Sequence, residues 1–211
     1  MTRLWYAVMV ALGAISIITA TAMVIDNDGS LVNMYSYFTI QSNLLMLVSA
    51  VLLAIRPDRT GAAFEVVYLA GLVGITVTGV VFATVLEGAI ELEGQELWND
   101  RIFHYIVPAM AVIGYLLLRP RTTFHRGAYL FLIWPLGWLA YTLIRAELAD
   151  PRFRGENGTT MNVPYDFLDI DAKGGGSVAV ACVLVLILAL AVAWGYRTYG
   201  QRVSGGVMVP R

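Results

Sequence analysis

Residues 177–197 read SVAVACVLVLILALAVAWGYR, a run in which no charged side chain precedes Arg197. A helix needs about 20 apolar residues to cross the hydrocarbon core of a bilayer. A helix is favoured over an extended segment because a chain inside lipid has to satisfy its own backbone hydrogen bonds. This run therefore predicts a transmembrane helix. We use its length, 21 residues, to look for further spans in the rest of the chain.

Five more apolar runs of similar length precede it. They cover roughly residues 4–25, 35–55, 65–86, 98–118 and 127–147. A transmembrane barrel requires alternating segments of about ten residues, which this sequence lacks. We therefore predict an all-α integral membrane bundle of six transmembrane helices, formed by one domain over residues 1–203. The first run is long enough to span, so it is interpreted as a retained helix and not as a signal peptide.

The connectors between these runs alternate in charge. Nine of the 14 basic residues lie at the N-terminus, in the 56–64 and 119–126 loops and at the C-terminus, whereas 13 of the 15 acidic residues lie on the other side. Because loops rich in Lys and Arg stay in the cytoplasm, both termini are predicted to be cytoplasmic. Residues 204–211 resemble a linker followed by protease-site residues added by cloning, so they are left out of the functional interpretation.

The composition favours a membrane and excludes several functional classes. Hydrophobic residues make up 58% of the chain and charged residues 14%, with a mean hydropathy of +0.70. In soluble domains, roughly 45–50% of the residues are apolar and roughly 25% are charged. A net charge of −1 without a basic stripe argues against nucleic-acid binding. One cysteine, and two histidines on opposite sides of the membrane, predict no metal site and no cofactor. Membrane lipids are the expected partners, and the sequence does not specify the oligomeric state.

The second predicted helix opens with YSYFTIQSNL over residues 35–44, which is polar for a segment at membrane depth. By their three- and four-residue spacing, Thr39, Ser42 and Asn43 lie on one face of this helix. Polar groups inside a membrane are costly and therefore tend to be functional. This face is the first part of a candidate site.

The fourth predicted helix opens with LWNDRIFHYIVP over residues 97–108. His104 follows Asp100 and Arg101 by about one turn, so these side chains can share a face. Pro108 removes the helical hydrogen bond to the carbonyl of His104 and predicts a kink there. Helices two and four both start at the outer side in this topology, so His104 lies at about the depth of the polar face of helix two.

A Thr–His pair at one depth suits acyl transfer. A threonine hydroxyl becomes a nucleophile when a neighbouring base accepts its proton, and histidine is the side chain that titrates closest to neutral pH. Thr39 is thus the candidate nucleophile and His104 its candidate base. Donors for a developing oxyanion are expected among Gln41, Ser42 and Asn43.

Two non-catalytic interpretations remain open at this point. Thr39 and its polar neighbours can serve as contacts between helices, in which case Thr39→Ala costs only about 0.6 kcal/mol of stability. Alternatively, the same pocket belongs to a non-enzymatic protein that binds or transports lipid. Near the outer end of the fifth helix, Tyr141 and Arg145 lie four residues apart, and Arg145 either reaches the interface or binds a carboxylate or phosphate group.

Three short motifs, SYFTIQSNL (36–44), HYIVP (104–108) and YDFL (165–168), resemble the androgen-induced and androgen-dependent protein family of integral membrane proteins. Animal members are intramembrane threonine hydrolases that cleave fatty acid esters of hydroxy fatty acids, and bacterial relatives are small six-helix proteins. The resemblance implies a Thr nucleophile at Thr39 and a catalytic His at His104. It also implies a bacterial cytoplasmic membrane, and the topology predicted above puts the site toward the outer face.

The other groups of the predicted site are less constrained. Asp100 is the first choice to orient His104, and Asp166 in the last outer connector is the second. Tyr165 belongs to the aromatic motif PYDF, where the animal proteins tend to read Tyr-Pro-Phe, and it is a further candidate to contact the oxyanion or the substrate. Arg101 or Arg145 is expected to hold a free carboxylate of the substrate. The implied function is hydrolysis of fatty-acyl lipid esters, with a lipid ester or fatty acid as the ligand.

Overall fold

The computed structural model describes residues 1–88, 92–118, 121–155 and 159–205. Within these ranges, six helices are long and apolar enough to cross a membrane. They are Thr2–Asp26, Phe38–Ile55, Ala62–Leu86, Gly94–Leu117, Arg126–Ala149 and Gly175–Val203. The predicted all-α bundle of six transmembrane helices is confirmed, and the protein is a multi-pass membrane protein.

Some of these six spans are divided into shorter elements, and within the described residues two short α-helices lie between spans. In chain order the α-helices are α1 (Thr2–Asp26), α2 (Leu31–Ser36), α3 (Phe38–Ile55), α4 (Ala62–Val81), α5 (Gly94–Arg101), α6 (Val107–Leu117), α7 (Ile133–Ala149), α8 (Ile170–Lys173) and α9 (Gly175–Gly205). A π-helical segment, Phe82–Leu86, continues α4, and a second one, Ile102–Ile106, joins α5 to α6. A 3-10 segment, Arg126–Leu132, precedes α7. α9 continues past residue 197, where the sixth run was expected to end, and residues 206–211 lie outside the described ranges.

The predicted helix over residues 35–55 is interrupted at Tyr37, whose ψ of 133° is extended. At this point the Ser36 carbonyl accepts a hydrogen bond from Trp138 Nε1 at 2.8 Å. The Tyr37 ring packs edge-on against Phe153, with ring centroids 5.3 Å apart. These long-range contacts stabilise the break, and they place Thr39 in the first turn of α3.

The centre of the bundle is the contact between α3 and α4. Most side chains of α4 are buried, from Phe64 to Thr78. A Cβ built at Gly71 lies 3.0 Å from both the backbone N and the Cα of Met46 on α3. Small residues allow membrane helices to approach each other closely, and Gly71 has this role here.

Gly71→Ala is expected to lower the free energy of unfolding by about 1–3 kcal/mol, because the added methyl group meets backbone atoms that cannot rotate away. Gly137→Ala is the matched control, since nothing lies within 4 Å of a Cβ built at Gly137 in α7. The control is expected to be neutral or to stabilise by up to about 1 kcal/mol. Thermal unfolding of both variants in one detergent measures the difference. Equal unfolding midpoints contradict the close contact.

The described residues of the long connector between α7 and α9, 150–155 and 159–174, fold back onto one end of the bundle, called here the connector end. It contains two short antiparallel strands, β1 (Phe153–Arg154) and β2 (Thr160–Met161), and a 3-10 turn at Asp166–Leu168 before α8. Val163 and Leu168 are buried against Val178 at the start of α9. This packing holds the intervening Tyr165 against the helix ends.

Candidate active site

Thr39 is the second residue of α3. The first helical hydrogen bond of α3 runs from the Gln41 N–H to the Tyr37 carbonyl at 3.2 Å. The N–H groups of Phe38, Thr39 and Ile40 therefore have no acceptor within the helix. Free N–H groups give a helix N-terminus a partial positive charge. The Thr39 hydroxyl thus lies where a developing negative charge is stabilised.

His104 lies against the Thr39 hydroxyl, with Nε2 3.2 Å from Oγ1. On the other side of the ring, Nδ1 is 2.9 Å from Asp100 Oδ1 and 3.1 Å from the Asp100 carbonyl oxygen. Both oxygens are acceptors, so Nδ1 carries the proton of the neutral ring and Nε2 accepts from Thr39. Hydrolase triads connect nucleophile, base and carboxylate in this order. The structure thus joins Thr39, His104 and Asp100, all named from the sequence, in one chain of hydrogen bonds.

The ring of His104 is held by an irregular part of the bundle. His104 lies in the π-helical segment Ile102–Ile106. This segment is found where a kink was predicted, because Pro108 has no N–H to donate to the His104 carbonyl. Phe82 begins the other π-helical segment and stacks on the His104 ring, with centroids 3.8 Å apart. The His104 side chain is only 14% exposed. Single π turns occur often at functional sites, and this pair fixes the orientation of the base.

Tyr165 reaches Thr39 from the connector. Its hydroxyl is 3.1 Å from the Thr39 backbone N and 3.2 Å from Thr39 Oγ1. Burial raises the pKa of Tyr165, so the hydroxyl stays protonated through neutral and mildly basic pH and remains a donor. The Thr39 N–H donates to the Tyr165 hydroxyl oxygen. The Thr39 N–H and the Tyr165 O–H become two donors to an oxyanion when a carbonyl oxygen takes the place of that contact.

The three predicted oxyanion donors are engaged elsewhere. Asn43 Nδ2 and Ser42 Oγ both donate to the Thr39 carbonyl, at 2.8 and 3.0 Å. Gln41 Nε2 donates to the Tyr35 carbonyl at 3.0 Å. Short polar side chains within a helix often bond to a carbonyl of the preceding turn. These three residues fix the first turn of α3 and do not present donors to the Thr39 hydroxyl.

Two charged candidates are paired away from the Thr39 hydroxyl. Asp166, the second choice to orient the imidazole, lies 2.7 Å from Lys173 Nζ and is 45% exposed. Arg101, one candidate for binding a substrate carboxylate, forms a half-exposed ion pair with Glu87 at 3.1 Å. Asp166 therefore does not contact His104, whereas Arg101 lines the larger cavity beside Thr39 and His104, and its role toward a substrate carboxylate stays a prediction.

Tyr141 and Arg145 on α7 support the site indirectly. Arg145 donates to Ser36 Oγ at 3.1 Å and to Asn33 Oδ1 at 2.5 Å. The Tyr141 hydroxyl lies 3.1 Å from Ser36 Oγ. Both side chains therefore hold α2 just before the break that positions Thr39, and two of the donors of Arg145 are used within the protein.

Two cavities meet at the candidate active site. The apolar cavity, of about 120 Å³, lies between α4, α7 and α9. The vestibule, of about 880 Å³, lies at the connector end and has charged side chains in its wall. Thr39, Leu86, His104 and Tyr165 line both cavities. A substrate carbonyl beside Thr39 therefore has an apolar space on one side and a polar space on the other.

Two residues of the site were not singled out from the sequence. Arg152 lines the vestibule, and its guanidinium has no side-chain partner among the described residues, whereas Arg154 lies 3.7 Å from Glu96. Nothing in the sequence distinguishes Arg152 from the other basic residues of the connectors. Phe82 is an ordinary apolar residue in the pattern, and its contact with His104 depends on tertiary packing.

In the described ranges, no group of three or more His, Cys, Asp or Glu side chains is placed to hold a metal ion. Comparisons with protein-family models, with curated proteins and with solved structures found no match. The fold and the site define an all-α, multi-pass membrane protein with a largely buried Thr–His–Asp chain of hydrogen bonds. The resemblance to the androgen-induced and androgen-dependent proteins stays a prediction from three motifs.

Proposed function

We propose that this protein is an intramembrane hydrolase of lipid esters, with Thr39 as nucleophile and His104 as base. The observation that carries the proposal is the chain of hydrogen bonds from Thr39 through His104 to Asp100, where an apolar cavity meets a polar vestibule. The family resemblance makes fatty acid esters of hydroxy fatty acids the first substrates to test.

The acylation step uses groups already in contact. His104 Nε2 accepts the Thr39 hydroxyl proton while Thr39 Oγ1 attacks the ester carbonyl carbon. The Thr39 N–H and the Tyr165 O–H stabilise the charge on the carbonyl oxygen, and a single such donor contributes about 2.7–4 kcal/mol in soluble precedents. His104 then protonates the departing alcohol oxygen, the ester C–O bond breaks, and an acyl group remains on Thr39.

Deacylation repeats these transfers with water. His104 accepts a proton from a water molecule of the vestibule as the water oxygen attacks the acyl carbon. Thr39 Oγ1 then leaves with the proton held by His104, and a free fatty acid is released. Asp100 keeps the imidazole in the reactive tautomer and stabilises its transient positive charge.

The proposal includes an orientation in the membrane. Basic residues gather at the end of the bundle opposite the connector end, and the positive-inside rule assigns that basic end to the cytoplasm. The vestibule then opens to the outer aqueous phase of a bacterial cytoplasmic membrane. Water and polar products have direct access to the site from that side.

A panel of lipid esters, incubated with detergent-purified protein, tests the proposal. The measurements are fatty acid release and the position of an alkyl fluorophosphonate adduct, located by peptide mass spectrometry. We expect hydrolysis of at least one ester and an adduct on Thr39. An adduct on another residue removes Thr39 as the nucleophile. Lipid that co-purifies without hydrolysis or adduct favours a non-enzymatic lipid-binding or transport protein.

A further inference from the structure

The wall of the apolar cavity is suited to an alkyl chain. The indole N–H groups of Trp134 and Trp138, which line it, donate to Gln41 and to the Ser36 carbonyl at 3.0 and 2.8 Å. The hydroxyl of Thr78 is bonded to Ser42 on α3. These polar groups are therefore satisfied within the protein, and the rest of the wall is largely aliphatic and aromatic. An apolar ligand fits such a wall without leaving hydrogen bonds unmade.

This cavity opens to the side of the bundle, between α7 and α9. Leu136 of α7 and Leu186 of α9 both line the cavity, yet their side chains are 52% and 37% exposed. An exposed apolar side chain in the middle of a transmembrane span faces the hydrocarbon of the bilayer. The two leucines therefore contact the cavity and the lipid at once.

The vestibule has the opposite chemistry. Glu96, Arg152 and Arg154 are among its lining residues, and it lies at the connector end. Because Thr39 and His104 line both cavities, an ester bond at the nucleophile divides its substrate between them. Burial of the acyl half is favourable in the apolar cavity, and a polar alcohol half is solvated in the vestibule.

We propose that the gap between α7 and α9 is a lateral portal through which the acyl chain of a bilayer-resident ester reaches Thr39. The acyl half then lies in the apolar cavity and the alcohol half lies in the vestibule. This inference rests on the proposed hydrolase function and adds the path and the orientation of the substrate. The fatty acid returns to the bilayer through the portal, and a polar alcohol leaves through the vestibule.

The size of the apolar cavity determines which chains depend on the portal. A water-sized group requires roughly 10–15 Å³ of such a cavity, so about 120 Å³ accommodates about ten methylene groups. A butyryl chain fits inside this space. A palmitoyl chain does not, and its end passes between α7 and α9 into the lipid.

Narrowing the portal tests the proposal. Leu186→Trp and, separately, Leu136→Trp introduce an indole from either side. Val183→Trp and Ile133→Trp are the matched controls, because these side chains lie on the same two elements, are 54% and 69% exposed and do not line the cavity. The measurement is the ratio of kcat/KM for p-nitrophenyl palmitate to that for p-nitrophenyl butyrate, in mixed micelles, with thermal unfolding run on every variant.

We expect each portal variant to lower the palmitate-to-butyrate ratio at least about tenfold, because excluding several methylene groups from an apolar site costs that much or more. The controls are expected to keep the wild-type ratio. If one portal variant does not fold, the other decides. The portal is contradicted if a folded portal variant keeps the wild-type palmitate-to-butyrate ratio, or if this ratio falls equally in the controls. Either result leaves the proposed hydrolase function standing. Absence of hydrolysis of both esters and of the whole lipid-ester panel by wild-type protein, with no fluorophosphonate adduct on Thr39, overturns the hydrolase function, and the portal with it.

Discussion

Thr39→Ala is expected to lower kcat for ester hydrolysis by about 10⁴- to 10⁶-fold, because no acyl-enzyme forms without the hydroxyl. The variant should still fold. Its lost side-chain contacts are those with His104 and Tyr165, each at 3.2 Å, and such bonds average about 0.6 kcal/mol in bilayers. Fatty acid release by wild-type and variant protein, at matched unfolding midpoints, measures the effect.

Ser42→Ala is the matched control, since Ser42 is fully buried one turn further along α3 and bonds to the Thr39 carbonyl. It is expected to keep kcat within about tenfold, because its two lost hydrogen bonds, to the Thr39 carbonyl and to Thr78, contribute about 1 kcal/mol each to stability and neither includes a reacting atom. Thr39→Ser retains the hydroxyl and should retain hydrolysis. The double variant of Thr39→Ala with His104→Ala should be no slower than either single one, because the pair acts as a unit. Full activity of Thr39→Ala would falsify the assignment of the nucleophile.

The two contacts of His104 differ in how far the sequence could predict them. Asp100 precedes His104 by four residues, and the helical repeat alone brings such residues to one face. Thr39 is 65 residues away in the chain. It could be matched to His104 only by depth, because a bilayer of fixed thickness places helix starts on the same side at the same level.

Tyr165 was among the candidates for the oxyanion site, but the backbone donor of Thr39 could not be predicted from residue types. Amide and hydroxyl side chains next to Thr39 were the natural candidates, but within a helix they bond to nearby carbonyls. The backbone donor is the Thr39 N–H, which has no acceptor within the helix because α3 begins at Phe38, and which donates to the Tyr165 hydroxyl at 3.1 Å. That start depends on contacts with Trp138 and Phe153, far along the chain, and an apolar pattern carries no signal for them.

Asp100→Asn is expected to lower kcat by about 10²- to 10⁴-fold with little change in KM, because the corresponding change in serine proteases costs about 10⁴ through the wrong tautomer. In the wild type Asp100 Oδ1 lies 2.9 Å from His104 Nδ1, and the carboxylate stabilises a proton on this nitrogen. An asparagine amide is uncharged and can present its NH₂ group to Nδ1. The Asp100 backbone carbonyl, 3.1 Å from Nδ1, remains in the variant and retains part of the orientation, so the loss should fall below the upper limit.

Asp166→Asn is the matched control for this prediction, because Asp166 is the other acidic candidate and its carboxylate is bound to Lys173 at the surface of the connector. Its kcat should stay within about twofold of wild type, since an exposed ion pair contributes little. The rate of fluorophosphonate labelling at Thr39 separates orientation of the base from substrate binding. It should fall in Asp100→Asn and not in Asp166→Asn. Equal losses of kcat in the two variants, or a loss confined to KM, remove Asp100 as the residue that positions His104.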